Sequence, residues 1–251
     1  MKNILAVLVN YGEEQLEYLQ QVVTELKSYS KYKVTVVVHS NIPLETIEGI
    51  DQVNVIEMEN YQLLPMTCRQ VIDQEAENFD YFIFSENDHL WKESHVDRFI
   101  EYQSILPENR IAGLIQYEVN STGRYYPAYH AHYDWDYNSV EEYGGKKFAF
   151  FTNVHQASFI LSKDQLTRIK KEKDFTQFFS KDHYSVKCKT NTDIYQYCGM
   201  KKVICITDFE DNLIHHLPNI YIDGGPGEVE YRVKQRSEES RMQTALNRLL
   251  K

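Results

Sequence analysis

Short unbroken apolar runs and longer stretches of helical periodicity follow one another along the first third of the chain. Ile4 to Val9 is a continuous apolar run, the pattern of a central strand buried on both faces. Tyr11-Gly12 turns the chain, and Glu13 to Tyr29 then carries Leu16, Leu19, Val22, Val23 and Leu26 at helical spacing, with acids in the first turn. Lys33 to Val38 is a β-branched strand that ends at His39-Ser40-Asn41, and Val53 to Ile56 is a short third strand. Leu64 to Asn78 reads as a helix with Pro65 in its first turn, and Asp80 to Ser85 as a fourth, buried strand. This β-α-β-β-α-β order with short connections predicts an α/β fold with a mostly parallel sheet and right-handed crossovers.

The later pattern is less regular. Ser94 is placed to cap a helix running to Leu106, and Ile111 to Val119 is a strand. Asn120 to Lys147 is rich in Tyr, His, Asp and Gly, shows no clear period and reads as a long loop of the kind that carries function. Phe148 to Phe151 and Ala157 to Leu161 resume strand character, and Ser162 or Lys163 opens a helix to Lys171. Thr190 to Met200 reads as a short helix and Lys202 to Ile206 as a last strand. After Gly224-Gly225-Pro226-Gly227, Glu228 to Lys251 is a charged helical tail. The expected organisation is one domain over 1–222, with halves 1–119 and 120–222, and a tail over 223–251.

Composition narrows the classes. The 251 residues include 42% hydrophobic and 13% aromatic residues, enough for a substantial core, and disorder is not expected. A formal net charge of -10 argues against nucleic-acid binding, which needs surplus Lys and Arg, and against general adhesion to an anionic membrane. An acidic protein still binds a phosphorylated ligand when a metal supplies the positive charge. Cys68, Cys188, Cys198 and Cys205 form no CxxC pair, which fits a reduced, cytoplasmic setting. The apolar N-terminal run leads into an acidic helix without a small-residue cleavage site, so it reads as a strand and not a signal peptide. No stretch approaches the ~18 apolar residues of a membrane span.

The candidate chemistry centres on Glu86-Asn87-Asp88, where an apolar strand ends abruptly in two acids. Ligands of open α/β sheets bind at the carboxyl ends of the strands, and in extended chain residues two apart point the same way. Two carboxylates on one face make a hard-oxygen site for Mg²⁺ or Mn²⁺, ions that bridge substrate phosphates. The plain alternative is a solvated polar turn.

Together these residues give a chain that resembles nucleotide-sugar glycosyltransferases of the GT-A fold, over roughly residues 3–221. The resemblance rests on the first strand ending in Val9-Asn10-Tyr11, the strand ending in His39-Ser40, a DxD-like Glu86-Asn87-Asp88, Thr190-Asn191-Thr192-Asp193 opening a late helix, and His215-His216 after the final strand. The first acid is Glu where the motif has Asp, and one acid, Asp193, stands where many relatives have a Glu-Asp pair. The resemblance implies a metal-dependent transfer of a sugar from a nucleotide-sugar donor to a glycan or glycolipid acceptor. Val9, Asn10, Tyr11, His39, Ser40 and Asn87 would hold the nucleotide. Glu86, Asp88 and His215 or His216 would hold Mn²⁺ or Mg²⁺. Asp193 would be the general base of an inverting reaction; a helix cap is its plain alternative.

Other features stand beside these. Tyr125, Tyr126, Tyr129, Tyr133, Trp135 and Tyr137 suit the apolar face and hydroxyls of an acceptor sugar, or a loop packed by its own aromatics. His130, His132, Asp134 and Asp136 alternate as potential metal ligands without matching a common zinc pattern. His155 and Gln156 are candidates to face the donor sugar, or a polar lead-in to the next strand. The basic tail is a candidate for peripheral membrane contact, or a solvated or oligomer-forming helix. The rival readings are a nucleotidyltransferase, which the acidic Asn10-Tyr11-Gly12-Glu13-Glu14 loop disfavours, and a non-catalytic carbohydrate-binding module.

Overall fold

The computed structural model describes residues 1–121, 123–127, 134–155, 157–179, 185–222 and 238–251. The first elements are β1 (Lys2–Asn10), α1 (Leu16–Lys27), β2 (Tyr32–Ser40), β3 (Gln52–Val55), α2 (Leu64–Gln74), β4 (Tyr81–Glu86) and β5 (His89–Leu90). Next come α3 (Glu93–Ile105), β6 (Arg110–Ala112), β7 (Ile115–Asn120), β8 (Gly123–Tyr125), β9 (Trp135–Tyr143), β10 (Lys146–Phe151) and β11 (Ser158–Ser162). The chain ends with α4 (Lys163–Glu172), α5 (Val186–Gln196), β12 (Lys201–Cys205), β13 (Leu213–His216) and α6 (Glu238–Leu249). It is a mixed α/β fold of sheets flanked by helices, with a helix at its C-terminus. Two compact units are interleaved in sequence, 1–96 with 157–199 and 97–156 with 200–251, so neither coincides with the halves 1–119 and 120–222.

The first unit holds a five-stranded sheet in the order β11-β4-β1-β2-β3. β3, β2, β1 and β4 are parallel and β11 runs antiparallel against β4. β1 is central, and Ile4 to Leu8 are almost fully buried, as an apolar run flanked by helices requires. α1 packs on β2, α2 covers β1 and β2, and α5 packs on α2. Ser162 caps α4 in a full capping box with Gln165. At α3, Ser94 lies inside the first turn; the His95 ring nitrogen accepts from the Lys92 backbone N–H instead.

The second unit contains the sheet β6-β12-β10-β9 and the strands β13, β7 and β8, with β13 parallel to β7 and β8 antiparallel to it. The expected strand over 111–119 divides. Gly113 still pairs with Val203, after which the chain leaves β12 for β13. The expected loop over 120–147 holds two strands, β8 and β9. β9 is mostly half-buried, so its polar positions hide the alternation. Its hairpin with β10 closes through Gly144 and Gly145 at φ 57° and 76°, the left-handed pair that a two-residue turn demands. Tyr126, Trp135, Phe151 and Phe209 form an aromatic core with Met242, Ala245, Leu246 and Leu249 of α6. The C-terminal helix is therefore part of this core, and its apolar side is covered. No helix among the described residues is long and apolar enough to cross a membrane.

Leu246→Ala should lower the unfolding free energy by about 2–5 kcal/mol, the cost of a buried Leu cavity. Gln243→Ala, on the exposed side of the same helix, should change it by less than about 0.5 kcal/mol. Urea unfolding of both variants checks this; equal losses would contradict the packing of α6.

Candidate functional site

In the first unit, β1, β2 and β4 end side by side, with Asn10 opposite Ser40 and Val9 opposite both His39 and Glu86. Asn10 is almost fully buried and its amide is satisfied at both ends. Its Nδ2 donates to the Gly12 carbonyl and to Ser40 Oγ, each at 3.1 Å. Its Oδ1 accepts from Asn87 Nδ2 at 2.7 Å. Ser40 Oγ also accepts from the Ile42 N–H, and Asn41 Oδ1 accepts from the Gly12 N–H at 2.8 Å. Gly12 needs its glycine, with φ at 72°. This network fixes the loop after β1 and the turn after β4. Asn10, Ser40 and Asn87 thus serve the frame of the site, and Val9 lies buried within the sheet. Tyr11, the neighbour of Asn10, is 64% exposed. Its ring lies 5.4 Å from that of Tyr61, at 55°.

Glu86 is the last residue of β4 and Asn87-Asp88 turns the chain. The chain is not extended there, so the two acids do not share a face by strand alternation. Glu86 is half-buried and Asp88 is buried. His89 follows, also buried, with Nδ1 3.9 Å from Asp88 Oδ1. A buried carboxylate beside an imidazole is a donor pair that fits Mn²⁺, which tolerates nitrogen, better than Mg²⁺.

His39 lies inside the frame. Thr67 Oγ1 donates to the Leu64 carbonyl at 2.7 Å, so it accepts from His39 Nδ1–H at 2.6 Å. His39 Nε2 then accepts from Asn54 Nδ2 at 3.0 Å. The ring is a neutral brace between β2, β3 and α2, and burial lowers its pKa from 6.5 to about 4.

Asp193 is fully buried in the middle of α5, which begins at Val186 and not at Thr190, so it caps nothing. Its Oδ2 accepts from the Phe179 N–H at 2.9 Å and lies 4.0 Å from Arg69 Nη1. Arg69, also fully buried, donates to the carbonyls of Phe175, Gln177 and Thr190, between the rings of Phe175 and Phe179. Burial pushes the Arg69 pKa down to about 10, and the Asp193 charge opposes that shift. Asp193 is the counter-ion of this buried guanidinium. All four cysteines are free, and burial raises the thiol pKa of Cys198 to about 12.

In the second unit, His215 and His216 lie within β13 rather than after the last strand. Asn219 Oδ1 accepts from the Val119 N–H, so His215 Nε2–H donates to the same oxygen at 3.2 Å; the ring stacks on Tyr117. His216 is buried, and its Nδ1–H donates to Glu118 Oε1 at 2.5 Å. Tyr125, Tyr126 and Trp135 are buried, and Tyr137 packs against the core under the Arg248 guanidinium. Their faces are core, which corrects their assignment to an acceptor sugar. Tyr129, His130, His132, Tyr133, Gln156 and the tail over 223–237 lie outside the described residues. His155 is held through its backbone: its N–H donates to Asn153 Oδ1 and its carbonyl accepts from buried Lys202. Burial lowers the Lys202 pKa to about 7.

Sequence reading misses Tyr61, Arg69, His89, Glu118 and Lys202. Two carried a signal: Arg69 sits among the apolar positions of a helix, and Glu118 in an apolar strand.

No family model matches this chain, and no curated protein matches its sequence. Among solved structures, S. aureus TarS is similar, with a TM-score of 0.52 at 13% identity over 88% of this chain and 38% of that one. The structure of S. aureus TarS 1-349 has a TM-score of 0.49 at 12% identity, over 88% of this chain and 63% of that one. The chain therefore spans less than two thirds of either. The first likeness shows that this chain shares its fold with part of S. aureus TarS.

Two outcomes follow from the buried ionisable groups. His39 binds a proton less readily folded than unfolded, so stability should fall as pH drops from 6.5 towards 4. In His39→Gln that part of the pH dependence should disappear from urea melts; an unchanged slope would contradict the neutral brace. Asp193→Ala should cost about 3–5 kcal/mol, because it leaves Arg69 buried without its counter-charge. A variant as stable as the wild type would contradict the counter-ion role.

Proposed function

We propose that this chain is a metal-dependent glycosyltransferase that moves a sugar from a nucleotide diphosphate donor to a glycan or glycolipid acceptor. The observation that carries the reading is the carboxyl edge of the parallel sheet. There the buried Asn10–Ser40–Asn87 network holds an exposed aromatic residue on one side and Glu86 and Asp88 on the other. Ligands of open α/β sheets bind at this edge. The fold shared with S. aureus TarS is of the α/β kind that this reading requires.

Each group then has a part. Tyr11, backed by the Tyr61 ring, offers a face for the nucleobase. Asp88 and Glu86 hold Mn²⁺ or Mg²⁺, and His89 stands beside Asp88. A cation bound there supplies Lewis-acid neutralisation of the departing nucleoside diphosphate. Asn87 fixes the turn that carries the acids. The general base is left unassigned, because Asp193 serves Arg69 within the fold. A sugar-binding module built on the aromatic segment is disfavoured, since four of its rings are core or pack on it.

Asp88→Ala should abolish Mn²⁺-dependent nucleotide binding while circular dichroism and the melting temperature stay near wild type. Tyr11→Ala should weaken nucleotide binding by about 1–3 kcal/mol, the range for one base stacked on one ring. Calorimetry of folded variants reads both; wild-type affinity in Asp88→Ala would remove the metal assignment.

A further inference from the structure

β3 ends the five-stranded sheet of the first unit, and among the described residues it pairs on one side alone, with β2. That pairing keeps an unbroken register from Gln52 to Val55. Val53 and Val55 are 36% and 49% exposed. Beyond the strand the exposed positions continue in alternation with Glu57 and Glu59, while Asn54, Ile56 and Met58 are half-buried. An edge strand presents a row of unpaired backbone N–H and C=O groups, and proteins blunt such edges with Lys, Pro, a bulge or a covering element. Gln52 to Val55 holds no Lys, no Pro and no bulge.

Charge decides what can add to this edge. Residues 41–68 contain no Lys or Arg, and their acids are Glu45, Glu48, Asp51, Glu57 and Glu59. Asp51 is paired with Lys27 at 2.8 Å. The other acids form no ion pair among the described residues. A second copy of this chain would bring the same acids to the edge. In an antiparallel pair centred on Asn54, Glu57 of each copy would face Asp51 of the other. Like charges directly opposite across a strand pair are destabilising. The acids therefore work against self-pairing and favour a cationic strand, which electrostatic complementarity selects and steers.

We infer that the open edge of β3 is a docking surface for a cationic, extended segment of another polypeptide, which adds to the sheet as a further strand. Main-chain hydrogen bonds give such strand addition its affinity, and alternate side chains give its specificity. Apolar residues of the segment cover Val53 and Val55. Lys or Arg residues beyond them meet Glu57 and Glu59.

The test uses the full ¹⁵N-labelled chain, with an acetylated and amidated hexapeptide of alternating Lys and Val as the probe. Amide shifts on titration should gather at residues 52–59, and hydrogen exchange of the β3 amides should slow. The same peptide N-methylated at alternate residues keeps its charge but cannot form the ladder. It should bind about tenfold more weakly, and so should the unmethylated peptide to a Glu57→Lys, Glu59→Lys double variant. Equal binding of the two peptides, or shifts spread over the acidic surface, would mean charge adhesion and overturn strand addition. Unchanged binding by the double variant would overturn the part given to charge. No binding by the wild type at about 5 mM peptide would overturn the docking surface. A dimer of the peptide-free wild type that Val55→Lys disperses would make a second copy the occupant and overturn the cationic partner. Should the double variant fail to fold, the comparison of the two peptides on the wild type still decides.

Discussion

A buried amide must satisfy its hydrogen bonds within the protein, and the Asn10 side chain does so by tying three strand ends together. Two donors go to Gly12 and Ser40, and the oxygen receives Asn87. Left unmet, each such group costs about 1–3 kcal/mol, so the arrangement is held in one geometry. It sets where the chain leaves β1, β2 and β4. It therefore sets where Tyr11 emerges and where Glu86 and Asp88 turn. The candidate chemistry of the first unit depends on that amide more than on any apolar contact.

Two other buried polar groups are built in the same way, each with its partners supplied by the fold. His39 is held neutral by Thr67 and Asn54, and Arg69 is held charged by Asp193 and three carbonyls. The same rule separates frame from function. A residue whose donors and acceptors are all met by its own strands and helices has a structural account. His39 meets that description, and Asp193 is accounted for as the counter-ion of Arg69.

The first unit was legible because its strands are continuous apolar runs and its helices strongly periodic. β1, β2, β4 and α1 lie where the pattern places them, with ends shifted by a few residues. The second unit was less legible because β9 is half-buried and its polar residues mask the two-residue period. The Gly144-Gly145 turn was the signal available for that hairpin. The aromatic residues of 125–137 read as a binding surface because composition cannot tell a ring packed in a core from a ring facing a sugar. The position of the acids at the end of β4 was legible, but their orientation was not. A turn at Asn87 breaks the alternation from which a shared face was inferred. Asp193 read as the opening of a helix because Thr190 is a good capping residue, yet the helix begins four residues earlier.

The central claim is that the carboxyl edge of the parallel sheet binds a nucleoside diphosphate through a metal. Its most direct test is calorimetric titration of the wild-type chain with UDP, GDP, CDP and dTDP, each with Mn²⁺ and again with EDTA. The account predicts that one of them binds with Mn²⁺ and that the binding disappears with EDTA. Binding of none of the four by demonstrably folded protein, or binding that EDTA leaves unchanged, would contradict it.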